Sequence, residues 1–166
     1  MSRTHTTMET PVGELTIVAE DGALTAIYFP SHKRLPDPSD FGARTEHGFE
    51  EAKAQLAEYF AGERRVFSLP LAPKGDAFQQ KVRALLRAIP YGQTRSYGQL
   101  AAELGDPRLA QAVGNANGRN PLSIVVPCHR VVGADGSLTG YAGGLERKRF
   151  LLELEESEEA KAARLF

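Results

Sequence analysis

The chain changes its hydrophobic period partway along. Leu15, Ile17 and Ala19 alternate with polar neighbours, Asp21-Gly22 follows, and apolar residues resume over 24–29. A period of two on either side of an Asp-Gly pair predicts a β-hairpin. Residues 30–48 mix Pro, Asp, Ser and Gly without a sustained period and predict a loop. From Phe49 onward, Phe49, Ala52, Leu56, Tyr59 and Phe60 fall on one helical face, and Gly62 predicts the end of that helix. Residues 67–71 have the form of a last strand. Pro70, Pro73 and Gly75 then punctuate the chain and place a domain boundary at residue 74.

Beyond that boundary the pattern is helical. Phe78, Val82, Leu85, Leu86 and Ile89 form one apolar face, ended by Pro90-Tyr91-Gly92. Ser96 with Gln99 three residues on has the form of a capping box. The short helix it opens carries Leu100, Ala101 and Leu104 and stops at Gly105. Asp106-Pro107 predicts a restart, with Leu109, Ala112, Val113 and Ala116 turned inward. Helix, glycine turn, helix is the form of a helix-turn-helix. The outer face of its second helix holds Ala110 and Gly114 one turn apart, with Gln111, Asn115 and Asn117 around them. Such a small, amide-rich, acid-free surface suits close approach to a nucleic acid; the alternative is a short helix packed through its small residues on a neighbour. The expected fold class is α/β (α+β): a small N-terminal strand-plus-helix domain over 1–74, and a mostly helical C-terminal domain with a helix-turn-helix over 75–166.

Composition narrows the function classes. One cysteine in 166 residues excludes an intramolecular disulfide and a multi-cysteine zinc site. No apolar run approaches the roughly 20 residues of a membrane span, and residues 1–10 are too polar for a secretory signal. The expectation is a soluble cytoplasmic protein. The formal net charge of -1 argues against a strongly basic surface, but it averages unlike regions. Residues 76–151 carry 10 basic and 5 acidic side chains, a net of +5, next to an acidic tail of Glu153, Glu155, Glu156, Glu158 and Glu159. A basic face is therefore permitted.

Residues 120–132 hold the candidate chemistry. Ile124, Val125 and Val126 predict a buried strand that Pro127 ends, and Cys128-His129-Arg130 follows. A thiolate is a strong nucleophile, and an adjacent imidazole or guanidinium can favour it. An isolated cysteine is otherwise an inert small hydrophobe. Neighbours on an extended chain point to opposite faces, so Cys128 and His129 need a bend or a bridging water to cooperate. The last helix has apolar positions Leu145, Leu151, Leu152 and Leu154. Glu155 continues their inner face, either as a partner for His129 or as a helix-edge residue with its head in water.

These residues resemble the O6-alkylguanine-DNA alkyltransferases, the methylated-DNA–protein-cysteine methyltransferase family. The resemblance is strongest over 78–155. It rests on Ile89-Pro90-Tyr91-Gly92, Ser96-Tyr97-Gly98-Gln99-Leu100, Ala112-Val113-Gly114, Asn120-Pro121, residues 124–132, Gly140-Tyr141-Ala142-Gly143-Gly144 and Lys148. It implies a ribonuclease H-like N-terminal domain. It also implies transfer of an alkyl group from O6-alkylguanine, and from O4-alkylthymine, in double-stranded DNA to Cys128. The nucleotide is flipped out, the protein acts once, and no cofactor takes part.

By the same resemblance His129 takes the thiol proton through a water, Glu155 holds the imidazole, and Asn120 orders the turn before the active segment. Tyr97 supports the flipped nucleotide and donates to guanine N3. Tyr141 walls the pocket, and the Ala142 N–H donates to O6. The carbonyls of Cys128 and Val131 accept from the exocyclic amine, while Ser123, Asn117 and Lys148 border the substrate. Ser96, Tyr97, Arg108, Ala110, Gln111, Gly114, Asn115, Arg119 and Arg130 are the expected DNA contacts. The expected state is a monomer in solution with activity at the nucleoid and cooperativity on DNA left open.

One position departs from the family pattern. Gln111 stands where the family carries an arginine that fills the gap left by the flipped base, so Arg108 or Arg119 becomes the candidate substitute. Some members bind zinc through N-terminal cysteines; this chain has none there, and His5, His32 and His47 make a poor site. The competing functions are a cysteine hydrolase, which turns over, and a non-catalytic lesion-binding or helix-turn-helix regulatory module. An AdoMet-dependent methyltransferase lacks its strand–Gly-rich-turn–helix unit here.

Overall fold

The computed structural model describes residues 3–31, 35–157 and Lys161. His32 and the acidic-tail residues Glu158 and Glu159 lie outside the described residues. The N-terminal half is a four-stranded sheet in the order β3-β2-β1-β4, with β1 Arg3–Thr10, β2 Gly13–Glu20, β3 Ala23–Tyr28 and β4 Ala43–Arg44. The predicted hairpin is β2–β3, antiparallel, with Asp21 at φ 51 and Gly22 at φ 87 in its turn. Two successive positive φ values match the right-handed twist of the flanking strands, which is why Asp-Gly serves there.

β1 was not predicted. Its sequence is Thr-rich and polar, so it lacks the apolar alternation, yet it pairs along its whole length with β2 and buries Thr6. The predicted loop also holds a 3-10 turn, Pro38–Phe41, and β4, which runs parallel to β1. Phe41 from that turn is buried with Val18 and Ala26 on the sheet's outer face.

Helix α1, Glu50–Phe60, packs its predicted face inward: Ala52, Leu56 and Tyr59 are buried, and Gly62 at φ 79 follows the helix. Residues 67–71 are not a strand. They meet β3 at one bridge, Leu24 to Leu71, with Leu24 N donating to Pro70 O and Ala72 N donating to Leu24 O. Pro70 has no N–H to give a ladder, so pairing stops at that bridge.

In the C-terminal half, α2 Ala77–Arg87 opens on an Asp76/Gln79 capping box, and α3 Tyr97–Glu103 opens on the predicted Ser96/Gln99 box. At the end of α3, Gly105 at φ 100 lets Gly105 N donate to Ala102 O and Asp106 N donate to Ala101 O, the paired bonds of a Schellman stop. The predicted restart is a 3-10 turn, Pro107–Leu109, capped by Asp106 and continuing into α4 Ala110–Gly118. Val113 and Ala116 face the core as expected. Ala112 is exposed instead, since neighbouring helix positions lie about 100° apart and it falls off the face that Val113 and Ala116 turn inward. Two-residue strands β5 Arg95–Ser96 and β6 Val131–Val132 pair in parallel, and α5 Leu145–Leu154 closes the described fold. Leu145 opens α5 on the solvent side, 46% exposed, and does not join the inner face.

One core cluster runs through both halves, from Leu15, Ile17 and Ile27 of the sheet to Val113, Val126 and Leu151. The free edge of β3 makes the junction: Ile27 N donates to Pro121 O at 2.8 Å, and Ile27 bridges to Leu122. A covered edge is protected from stray pairing. Here the cover is the segment that leads to Cys128.

Candidate active site

Residues 122–126 form a buried turn, and not the predicted strand. Asn120 clamps it from both ends: Leu122 N donates to Asn120 Oδ1 at 3.2 Å, and Asn120 Nδ2 donates to Val126 O at 3.0 Å. Within it Val126 N donates to Leu122 O, and Ile124 sits at φ 73. Positive φ is strained for a β-branched residue and persists only where the surroundings impose it. Burial of Ile124 and Val126, together with the Asn120 clamp, imposes it here. The chain then turns once more as a 3-10 helix, Cys128–Arg130, behind Pro127. That is the bend the adjacent cysteine and histidine require.

His129 and Glu155 meet in the interior. His129 Nε2 lies 2.7 Å from Glu155 Oε2, with both side chains almost wholly buried. Arg130 does not face outward toward DNA, as expected of it. Its Nε donates to Glu155 Oε1 at 2.7 Å, its Nη2 to Oε2 at 3.1 Å and its Nη1 to Ile89 O at 2.7 Å, while the guanidinium packs over the Tyr91 ring. A buried carboxylate attracts the nearest fork of donors, and Arg130 supplies it.

Tyr59 of α1 adds a donor to Glu155 Oε2 at 2.5 Å. Burial alone would raise Glu155, but the bonds from His129 and Arg130 hold it ionised, down at about 2. Burial pushes His129 below its ordinary value against the pull of Glu155, so the imidazole is neutral at pH 7. Its Nε2–H then points at the carboxylate. Nδ1 is left buried with no hydrogen-bond partner among the described residues.

Cys128 is buried at 4% exposure, and burial pushes its thiol up. Three neighbours work the other way: a hydrogen bond from Asn120, the charge of Lys148, and the Tyr141 hydroxyl, which also faces Ser123. Lys148 is itself buried. Desolvation brings it down to about 8, and its Nζ donates to Thr139 O at 2.7 Å. Thr139 Oγ1 in turn meets the Tyr97 hydroxyl at 3.2 Å, and the Tyr97 ring lies over Gly114 of α4. A Cβ at Gly114 would come into ordinary van der Waals contact with that ring, so Tyr97 packs from α3 against α4 at this position.

A cleft of about 160 Å³ opens between these parts, lined by Tyr97, Gly114, Asn115, Asn117, Tyr141 and Ala142. It is smaller than the roughly 300 Å³ at which small-molecule pockets begin, and suits one flat group. A larger cleft of about 710 Å³ lies beyond the 141–147 segment, against the 11–13 turn; neither Cys128 nor His129 lines either cleft. Asn117 is buried, not on the outer face of α4. Its Nδ2 donates to Cys128 O at 3.2 Å, and the Val131 N–H bonds the same carbonyl. Both lone pairs of Cys128 O are thus engaged, which leaves the Val131 carbonyl as the candidate acceptor for a substrate amine.

The expected DNA contacts separate into groups. Gln111 and Asn115 are exposed on α4, with Ala110 half-buried beside them. Ser96 is committed to capping α3. Arg108 folds back on Asp106, Nε to Oδ1 at 3.0 Å and Nη2 to Oδ2 at 3.1 Å. Arg119 lines a groove against the sheet with Arg3 and Lys74. Among the described residues no cluster of three or more His, Cys, Asp or Glu is placed to hold a metal.

Sequence reasoning missed Tyr59 and Thr139, and took Gly143 only as part of the family motif. Tyr59 scored as one more apolar helix position. Gly143 had a signal in the Gly143-Gly144 pair: a Cβ there would collide with the Phe29 ring, so the Tyr141 loop can lie close on β3 only with glycine.

Two family descriptions match the chain: "6-O-methylguanine DNA methyltransferase, ribonuclease-like domain" over 4–73, and "6-O-methylguanine DNA methyltransferase, DNA binding domain" over 77–157. The chain is 51% identical over 156 residues to the constitutive methylated-DNA–protein-cysteine methyltransferase of Bacillus subtilis, covering 91% of this chain and 94% of that one. It is 47% identical over 149 residues to the Methanosarcina acetivorans methyltransferase of the same name, covering 90% and 96%. The crystal structure of the Mycobacterium tuberculosis O6-methylguanine methyltransferase superposes with a TM-score of 0.85 at 46% identity, over 93% of each chain. A structure of the M. tuberculosis protein in complex with DNA gives 0.85 at 45% identity, over 92% of each. With both domains matched and a buried Cys128 beside a His129–Glu155 pair, this chain belongs to the 6-O-methylguanine DNA methyltransferase family.

Proposed function

We propose that this protein repairs DNA directly, moving the alkyl group of O6-alkylguanine, and of O4-alkylthymine, onto Cys128 once per molecule. The observation that carries the proposal is the buried thiol next to a neutral imidazole whose Nε2–H is taken by Glu155 and whose Nδ1 is free to accept a proton. The Cys128 thiol passes its proton through a water to Nδ1. The sulfur attacks the alkyl carbon in line, the S–C bond forms as the C–O6 bond breaks, and the electron pair moves into the guanine ring. A donor is needed there, because guanine leaves poorly unless its growing charge is stabilised. Tyr97 at N3 and the Ala142 N–H at O6 supply it, and the proton held by His129 returns to the product base. The balance is thiol plus alkylguanine to thioether plus guanine.

The alkyl carbon is out of reach inside a duplex, so the nucleotide leaves the stack, which costs a few kcal/mol and least for a lesion that pairs poorly. The exposed amides of α4 face the groove, and Tyr141 walls the flipped base. The Val131 carbonyl takes the exocyclic amine, and Ser123, Asn117 and Lys148 shape the pocket around it. No second cysteine exists to regenerate the thiol. The protein acts as a monomer on alkylated double-stranded DNA, in the cytoplasm at the nucleoid.

The test is intact mass after incubation with a duplex carrying O6-methylguanine. The expected result is one methyl gained per chain and none in Cys128→Ser. An unchanged mass alongside repaired DNA points to turnover chemistry and overturns the proposal. An unchanged mass with tight lesion binding leaves a binding module.

A further inference from the structure

Tyr59 lies 96 positions from Glu155 in the chain, yet its hydroxyl donates to Glu155 Oε2 at 2.5 Å. The same oxygen is bonded by His129 Nε2 at 2.7 Å and approached by Arg130 Nη2 at 3.1 Å. The Tyr59 ring is fully buried and held by Phe60, Phe67 and Tyr91, so packing fixes where the hydroxyl points. Burial, with the Glu155 charge beside it, holds the phenol protonated well beyond its ordinary range, so it stays a donor at every working pH.

The other groups around the pair are accounted for. Arg130 faces Glu155 from the active turn. Tyr91, under Arg65 and Arg130, gives its hydroxyl to Leu154 O instead. Lys148 faces His129 and Cys128 from α5. Among the described residues, Tyr59 is the donor to Glu155 that comes from the N-terminal domain. Each donor on Oε2 draws off negative charge that would otherwise stabilise an imidazolium at His129.

We propose that Tyr59 is a positioning residue of the alkyl-acceptor site, supplied by the N-terminal domain, which restrains the basic strength of His129 by sharing Glu155 Oε2 with it. The inference rests on Cys128 as nucleophile and His129 as its base. It gives the N-terminal domain a part in the chemistry: a thiol that can be used once is held back from stray electrophiles.

Tyr59→Phe removes the hydroxyl and keeps the ring. Cys128 is the one thiol in the chain, so its reaction with iodoacetamide, followed by intact mass against pH, reports the thiol without DNA. In Tyr59→Phe the midpoint falls by about half a pH unit, and the rate at neutral pH rises about threefold. Phe67→Leu loosens the same packing but keeps the hydroxyl, and its midpoint moves less than half as far as that of Tyr59→Phe, with thermal melts reporting the destabilisation of each variant. A Tyr59→Phe profile that superimposes on wild type, or moves upward, overturns the inference. So does a Phe67→Leu profile that moves half as far as Tyr59→Phe or further. Methyl transfer from an O6-methylguanine duplex is measured alongside: its absence in wild type is a failure of the proposed function, whereas transfer with unmoved iodoacetamide profiles is a failure of this inference alone.

Discussion

His129 Nε2 and Glu155 Oε2 stand 2.7 Å apart, and the same carboxylate takes Arg130 Nε on its other oxygen at 2.7 Å. One buried anion therefore serves an imidazole and a guanidinium. Arg130 balances the charge of Glu155, so His129 need not be protonated to keep the cluster neutral. A neutral histidine with its Nε2–H committed presents a lone pair on Nδ1, and a base is what a buried, protonated thiol requires. Glu155 is the C-cap of α5 and His129 lies in the active turn, so the pair also joins the last helix to the reacting segment.

Breaking that pair separates stability from chemistry. Glu155→Ala leaves the Arg130 guanidinium buried and unpaired, and the expected loss is about 3–5 kcal/mol in urea unfolding. Glu155→Gln keeps the shape and one acceptor oxygen, so it should unfold closer to wild type. Its single-turnover alkyl transfer should nonetheless slow by about 100-fold, because the imidazole loses the anion that stabilises its protonated form. A folded Glu155→Gln protein that transfers within twofold of wild type would show that His129 does not act as the base.

Acid should unfold this protein through the same cluster. Glu155 is depressed from the ordinary carboxylate range to about 2, so the stability it contributes is present above its unfolded value and lost as pH falls toward 2. His129 is also depressed, by burial. Below its ordinary value the unfolded chain binds a proton that the folded chain refuses, so stability falls there too. Melting temperature should thus decline steadily from about pH 6.5 downward. His129→Gln should flatten the upper part of that decline. A variant with an unaltered slope between about pH 6.5 and 5 would exclude His129 as its source.

The hairpin, α1, the α3 capping box and the two-helix turn were legible because each has a local cause: a turn dipeptide, a helical period, a cap. The apolar run 124–126 was misread because hydrophobicity reports burial and not backbone shape. An Asn120 clamp and a positive φ at Ile124 turned a strand-like run into a loop. β1 failed in the opposite way, since its Thr side chains suit a strand without marking a face. At the site, Cys128, His129 and Glu155 could be named, but not the inward turn of Arg130. Arginine is almost always at the surface, and only a buried carboxylate far along the chain reverses that. Tyr59 was invisible for the same reason: a hydroxyl partner 96 positions away leaves no trace in local spacing.

Lys148 is where function and stability should oppose each other. Burial brings its amine down to about 8, so at neutral pH the fold carries a charge it disfavours, and that penalty is relieved only as pH rises past 8. Lys148→Met should leave stability at pH 7 unchanged or higher. It should also remove the donor to Thr139 O that steadies Tyr97, and the positive charge near Cys128. Alkyl transfer should slow by about tenfold, with the iodoacetamide midpoint of Cys128 moving to higher pH. A midpoint that stays in place would mean the charge of Lys148 does not reach the sulfur.

Gln111 is the position at which DNA affinity should be adjustable. It is exposed in the first turn of α4, while Arg108 pairs with Asp106 at the surface and Arg119 lies in the groove beside the sheet. Glutamine can hydrogen-bond an orphaned base but offers no charge to the phosphates and no guanidinium plane to stack. Gln111→Arg should tighten duplex binding, and the slope of log affinity against log salt should steepen by about 0.9 for one added phosphate contact. Gln111→Ala should leave that slope unchanged, since no charge is lost, while weakening binding to a duplex with a flipped lesion more than to an undamaged one. Salt titrations of the three proteins by fluorescence anisotropy measure both quantities. If arginine at 111 changes neither affinity nor slope, the outer face of α4 does not meet the DNA, and the basic stretch over 76–151 must meet it through another surface.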